Sequence, residues 1–223
     1  MGKRYYLSWF DQVFPERIAQ ILKEDLRDLK RLVMISGQPS ADQSEQAQLI
    51  VEQWFGSANI SFENNHLIDE RISKEKAKQL IEEASVILLC GGYPIEQNKF
   101  LVEYGLGKVI KKSQKPIIGV SAGAINLSSQ WLYFSETGNQ TGEPELVQGL
   151  GMDEWFFFSM ANCDIENDLL MSQLRPISDQ LPIYIAVNEC MLRIDEEHLT
   201  VVGDVYRLDK QQRTKLKASD VVL

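Results

Sequence analysis

Pro116-Ile117-Ile118-Gly119-Val120-Ser121-Ala122-Gly123-Ala124 is the stretch from which the rest of this chain is read. Its first half is a short apolar run rich in β-branched residues, which reads as a buried strand. Small residues follow at once, and Gly119-Val120-Ser121-Ala122-Gly123 is a G-x-S-x-G set between that strand and a helix, the context the pattern requires. A sharp strand-to-helix turn lifts a serine hydroxyl out at the strand's C-terminal end, and its central residue is expected to be strained. The start of the helix leaves backbone N–H groups unpaired beside that hydroxyl. The Ala122 N–H is then a natural oxyanion donor, worth about 3 kcal/mol in a transition state. A glycine-tight turn with an incidental serine is the plainer alternative, and the strand–helix placement argues against it.

Outward from this turn, residues 86–90 form a second buried apolar run that ends in Cys90-Gly91-Gly92-Tyr93-Pro94. Paired glycines let backbone approach a ligand, and a glycine N–H can complete an oxyanion hole. Two glycine-rich strand ends in neighbouring β-α units fall on one rim of a parallel sheet, where sites form in open α/β folds. Gly105-Leu106-Gly107-Lys108 is no phosphate loop, since it lies in a helical pattern and has Val109 where Ser or Thr is needed.

The flanking pattern supports the same architecture. Residues 5–9 and 32–35 read as strands. Helices are expected over 15–29, 41–55, 73–83 with Ser73 as N-cap, and 96–111. Residues 60–62 and 67–68 are weaker strands. Beyond residue 127 the pattern changes to strands at 131–134 and 155–158, a helix at 164–174, and short strands at 183–187, 191–194, 199–202 and 205–208. Asp195-Glu196-Glu197-His198 makes a polar hairpin tip. Buried strands alternating with helices imply an α/β fold with a mostly parallel central sheet covered on both faces. The C-terminal β-hairpins are expected to extend or edge that sheet, and residues 1–223 read as a single α/β domain.

Composition narrows the function. The 223 residues carry a net charge of −9, with no basic block, so phosphate backbones and anionic lipid are poor partners: no nucleic acid and no membrane are expected. Cys90, Cys163 and Cys190 are scattered and the only histidines are His66 and His198, so neither zinc nor another metal or cofactor is expected. Three unpaired cysteines, no signal-like apolar core and no apolar run near 18 residues suggest a cytoplasmic protein.

Over roughly residues 30–208 the chain resembles the peptidase E family, which includes dipeptidase E and cyanophycinase, and four segments carry the resemblance. Leu89-Cys90-Gly91-Gly92-Tyr93 is similar to that family's Gly-Gly-Gly-Asn turn, with Cys90 and Tyr93 as departures. Gly119-Val120-Ser121-Ala122-Gly123-Ala124 resembles its nucleophile segment. Gly149-Leu150-Gly151-Met152 is similar to the Gly-Leu-Gly-Leu before its catalytic histidine, and Asn188-Glu189-Cys190 to the segment carrying its acidic residue. The resemblance implies a class I glutamine-amidotransferase-like (flavodoxin-like) three-layer sandwich and a serine-type peptidase cleaving small, in the family often aspartyl, peptides. It makes Ser121 the nucleophile and Glu189 the acid. Gly92 and Ala122 become the oxyanion donors, with Gly91 beside them and Glu136 in the loop after the nucleophile.

The departure is the base. Met160, or Asn162 with a two-residue shift, stands where the family has histidine. Serine needs a base, and loss of one triad member costs about 10⁴- to 10⁶-fold in kcat. His66 could substitute only by folding over the rim, and His198 reads as a solvated turn residue. The alternative is therefore a pseudo-peptidase that binds a small peptide or acidic metabolite without turnover. The missing base predicts little labelling of Ser121 by a fluorophosphonate, and strong Ser121-dependent labelling favours the active enzyme. An aspartyl substrate would also require a basic partner, and the sequence pattern places neither Lys99 nor Arg175 at the site. The aromatic segments at 131–134 and 155–158 read as core, with a homodimer interface as their other use.

Overall fold

The structure is a computed structural model that describes residues 2–10, 13–133, 145–159, 164–217 and 220–222. The N-terminal half alternates as expected: β1 (Arg4–Leu7), α1 (Glu16–Asp25), β2 (Arg31–Gly37), α2 (Ser44–Leu49, continued by a π-helical turn, Ile50–Phe55), β3 (Asn64–Ile68), α3 (Lys74–Glu83), β4 (Val86–Gly92), α4 (Pro94–Tyr104), α5 (Leu106–Lys112), β5 (Ile117–Val120) and α6 (Ala122–Leu127). The rest comprises β6 (Gln130–Tyr133), β7 (Glu145–Gln148), β8 (Phe156–Ser159), α7 (Asp168–Ser178), β9 (Ile183–Ala186), β10 (Met191–Asp195), β11 (His198–Val202), β12 (Val205–Asp209), β13 (Gln212–Lys215) and β14 (Asp220–Val222).

The central sheet runs β14-β11-β10-β1-β5-β4-β2-β3. β1, β5, β4, β2 and β3 are mutually parallel, and β10 joins β1 antiparallel. The inner strands β1, β5, β4 and β2 are buried on both faces because both are covered. In β2, Val33 and Ile35 pack with the helices α3 to α6, whereas Leu32 and Met34 pack with α1, α2 and the π-helical turn. β4 divides the same way, with Ile87 and Leu89 on one side and Val86 and Leu88 on the other.

Local chemistry sets several boundaries. Ser73 caps α3, its hydroxyl accepting the Lys76 N–H at 3.2 Å, and Asn167 caps α7 through the Leu170 N–H at 3.0 Å. The helix expected over 96–111 is two helices, because Gly105 adopts φ +64 and ends α4 in a left-handed turn. Residues 60–62 form no strand, and β3 begins at Asn64 instead.

The C-terminal strands divide between two sheets, where the sequence implied one. Only the β10–β11 hairpin and β14 extend the central sheet. β9 and β12 join β8 and β13 in a separate four-stranded sheet, with β8 and β9 parallel. β10 already occupies the β1 edge, so β9 pairs with the aromatic strand β8. Phe157 and Tyr184 face the central core, while Phe156, Phe158, Ile183 and Ile185 pack under α7. The aromatic segment around 155–158 is thus core. Arg4 and Tyr6 on β1 bind Asp153 at 2.7–2.8 Å, tying the stretch before β8 to the central strand.

Candidate active site

Ser121 sits between the end of β5 and the first turn of α6 with φ +47 and ψ −109, the strained turn expected of the pattern. Its N–H donates to the Leu7 carbonyl at 2.8 Å, and its carbonyl accepts the Ile125 N–H at 2.9 Å. Backbone thus fixes it from β1 and from α6. The hydroxyl caps no N–H of α6. It is only partly buried, and among the described residues no side chain hydrogen-bonds to it. Gly123 explains how the turn is this tight: a β-carbon there would lie 2.1 Å from the Leu89 carbonyl oxygen. Ala122, at the first helical position, has an N–H with no partner inside the helix.

The Gly91–Gly92 turn stands directly beside this elbow. β4 and β5 pair Leu89 with Gly119, so two residues further on Gly91 comes level with Ser121. A β-carbon built on Gly91 would be 3.6 Å from the Val120 carbonyl oxygen. Gly92 has φ +141, a conformation closed to side-chain-bearing residues, and pairs with Gly37 at the end of β2. The two glycine turns singled out in the sequence therefore share one rim.

Beneath the rim lies an amide network that sequence reasoning missed. Gln97, fully buried on α4, donates from Nε2 to the Cys90 carbonyl at 3.0 Å and the Ser36 carbonyl at 3.2 Å. Asn126 on α6 donates to Gln97 Oε1 at 3.1 Å and to the Pro94 carbonyl at 2.9 Å. Asn98 donates to Asn126 Oδ1 at 3.0 Å and to the Gln148 carbonyl at 2.9 Å. These bonds lock the ends of β2 and β4 to the two helices that start at the rim. The available signal was an amide at an inward helical position, Gln97 and Asn126 both falling on buried faces.

Glu189 lies in the turn between β9 and β10 and is exposed. The neighbouring Cys190 is held at the end of β1, where Ser8 Oγ accepts its N–H at 2.8 Å and the Ser8 N–H donates to its carbonyl at 3.1 Å. Glu189 thus sits at the rim that carries Ser121, next to the strand that holds the Ser121 amide. Glu136 and Asn162, with Met160 and Cys163, lie outside the described residues. Burial pushes the Cys90 and Cys190 thiols up to about 12, so both are unreactive.

Both histidines lie far from Ser121. His66 pairs with Val33 on the edge strand β3, which places it about 14 Å across the sheet and about 13 Å along the strands from Ser121. It does not fold over the rim. His198 pairs with Asp195 at the opposite end of β10, about 14 Å across and about 16 Å along from Ser121. Among the described residues no cluster of His, Cys, Asp or Glu is placed to hold a metal ion. Among them, no helix is long and apolar enough to cross a membrane.

A strained serine between a parallel strand and a helix, flanked by a glycine turn on the adjacent strand, defines a nucleophile-elbow α/β protein. The family model for peptidase family S51 matches residues 15–202, and the chain belongs to that family, the peptidase E family. No curated protein matches it in sequence. Its fold is similar to the crystal structure of a peptidase from an acI-B1 Actinobacterium, with a TM-score of 0.70 and 18% identity, covering 100% of this chain and 97% of that one. It is also similar to a protein assigned as a peptidase E from Listeria monocytogenes EGD-e, with a TM-score of 0.63 and 14% identity, covering 91% of this chain and 98% of that one.

Proposed function

We propose that this chain is a serine-type peptidase that cleaves small peptides through Ser121. The observation that carries this reading is the strained elbow at Ser121, which presents a hydroxyl at the helix start beside Gly91 and Gly92. In this reading Ser121 Oγ attacks the peptide carbonyl. The oxyanion is received by the Ala122 and Gly92 N–H groups, the amine leaves with a proton, and water releases the acyl group from Ser121. With both histidines at a distance, the Ser121 proton passes to a carboxylate or to solvent. Glu189 is the carboxylate that the β9–β10 turn brings to the rim. Short peptides are the substrate size the resemblance implies. Aspartyl peptides are the substrates the resemblance implies.

The test is hydrolysis of a dipeptide panel, aspartyl members included, together with labelling by a fluorophosphonate. Labelling that disappears in Ser121→Ala, with at least about a 10³-fold loss of hydrolysis, supports the reading. Hydrolysis that survives Ser121→Ala overturns it. The remoteness of both histidines favours a second reading, a pseudo-peptidase that binds a small peptide or acidic metabolite. Peptide binding without labelling or turnover is its signature.

A further inference from the structure

Trp9 stands at the same rim and has no role in the chemistry above. It lies two residues beyond Leu7, whose carbonyl holds the Ser121 N–H. Trp9 is 43% exposed. The other part of the indole is fixed: Trp54 packs edge-on at 5.5 Å, and a β-carbon on Gly91 would meet Trp9 Cζ3 at 2.7 Å. Gly91 is level with Ser121, so the indole packs against the residue that stands beside the nucleophile. Tyr93, 45% exposed, follows the glycines on their other side.

The slot under Trp9 is lined further by Gln43, Gln46, Ile50 and Leu67, and no side chain lining it is charged. It holds only about 20 Å³, room for about one water. The slot therefore leaves no room for a side chain beneath the indole. A cation that could meet an acidic side chain here is Arg71, whose Nη2 donates to Ser44 Oγ next to Gln43. It is already engaged, with Asp69 at 2.6 Å and Asp42 at 2.9 Å. Among the described residues lining this slot none is cationic, and a carboxylate side chain brought against it would lose hydration while Arg71 stays paired.

We propose that Trp9 is the specificity-determining residue of the site and selects peptides whose side chain beside the scissile bond is aromatic or aliphatic, against acidic ones. This rests on the reading that the Ser121 rim binds peptide, but not on Ser121 being active.

Binding of Phe-Phe, Leu-Leu and Asp-Asp to the Ser121→Ala protein by titration calorimetry tests it. Identical residues on both sides of the bond remove the choice of side. Phe-Phe and Leu-Leu are expected to bind at least about tenfold tighter than Asp-Asp. Adding Trp9→Ala should weaken Phe-Phe about tenfold and leave Asp-Asp unchanged, and Trp9→Phe should restore most of the loss. Tightest binding of Asp-Asp, no binding of any dipeptide, or undiminished Phe-Phe binding in a folded Trp9→Ala protein overturns the proposal. The outcomes separate the two readings. Apolar preference without turnover in the unmodified chain refutes serine hydrolysis alone. Ser121-dependent turnover with acidic preference refutes the Trp9 assignment alone.

Discussion

The position that bears most of the steric demand at the elbow is Gly123, not Ser121. A methyl group at residue 123 points at the Leu89 carbonyl oxygen 2.1 Å away, and backbone cannot swing aside as a side-chain end can. Gly123→Ala is expected to cost about 2–3 kcal/mol by displacing α6 from β4. That corresponds to a fall of about 5–10 °C in the melting midpoint by calorimetry. Ser121 reactivity should fall with it, since the same displacement moves the hydroxyl. The thiols behave oppositely. With burial holding Cys90 and Cys190 up to about 12, alkylation by iodoacetamide at pH 8 should leave both unmodified in the folded chain and reach both after urea, as peptide mapping would show. At this scale the sequence was most informative: strain at Ser121 and glycine at 92 follow from local pattern. Trp9 and Gln97 did not stand out, because their roles depend on neighbours distant in sequence.

Among the elements, α4 and α6 do the positioning. Both start at the rim, and Gln97 and Asn126 couple them to the carbonyls at the ends of β2 and β4. Gln97→Leu would leave the Cys90 and Ser36 carbonyls without that donor and Asn126 without one acceptor. A loss of about 2–3 kcal/mol is expected in urea denaturation. Asn98, which donates instead to Asn126 and Gln148, should tolerate alanine better. The strands of the parallel half were legible because each is a continuous apolar run bounded by turn residues. The break at Gly105 was not, because Leu106 and Ile110 keep the helical spacing of apolar residues across it. β13 was illegible for another reason: all four of its residues are exposed, so no alternation marks it. The second sheet was hidden because the β-strand period says nothing about which partner a strand takes.

Across the whole molecule, a charge knot fastens α1 to the sheet at the end away from the elbow. Burial alone would raise the Asp25 carboxyl, but hydrogen bonds from Arg193, Lys3 and Tyr5 outweigh it and hold the group down at about 2. Tyr5 donates at 2.8 Å, and Arg193 also pairs with Asp195. Because the folded value is below the ordinary 3.8, this stabilisation is complete above about pH 4 and disappears as pH falls through about 2. Asp25→Asn should therefore cost about 2 kcal/mol at pH 7. The gap between variant and parent in urea denaturation should narrow steadily between pH 4 and pH 2. A gap independent of pH would show that the carboxylate charge is not what matters.

The order of strands also bears on how the chain is made. β1 precedes both of its partners in the chain, yet it lies between β5 and β10, and Leu7 is level with both Val120 and Met191. A nascent chain can assemble β2, β3, β4 and β5 while one edge of β1 waits for residues beyond 190. Pairings this far apart in sequence close slowly. During synthesis the elbow can receive its Leu7 anchor once β5 is made, but that anchoring strand keeps a bare flank until residues 191–194 have left the ribosome. That interval is when this chain is most open to mispairing with another.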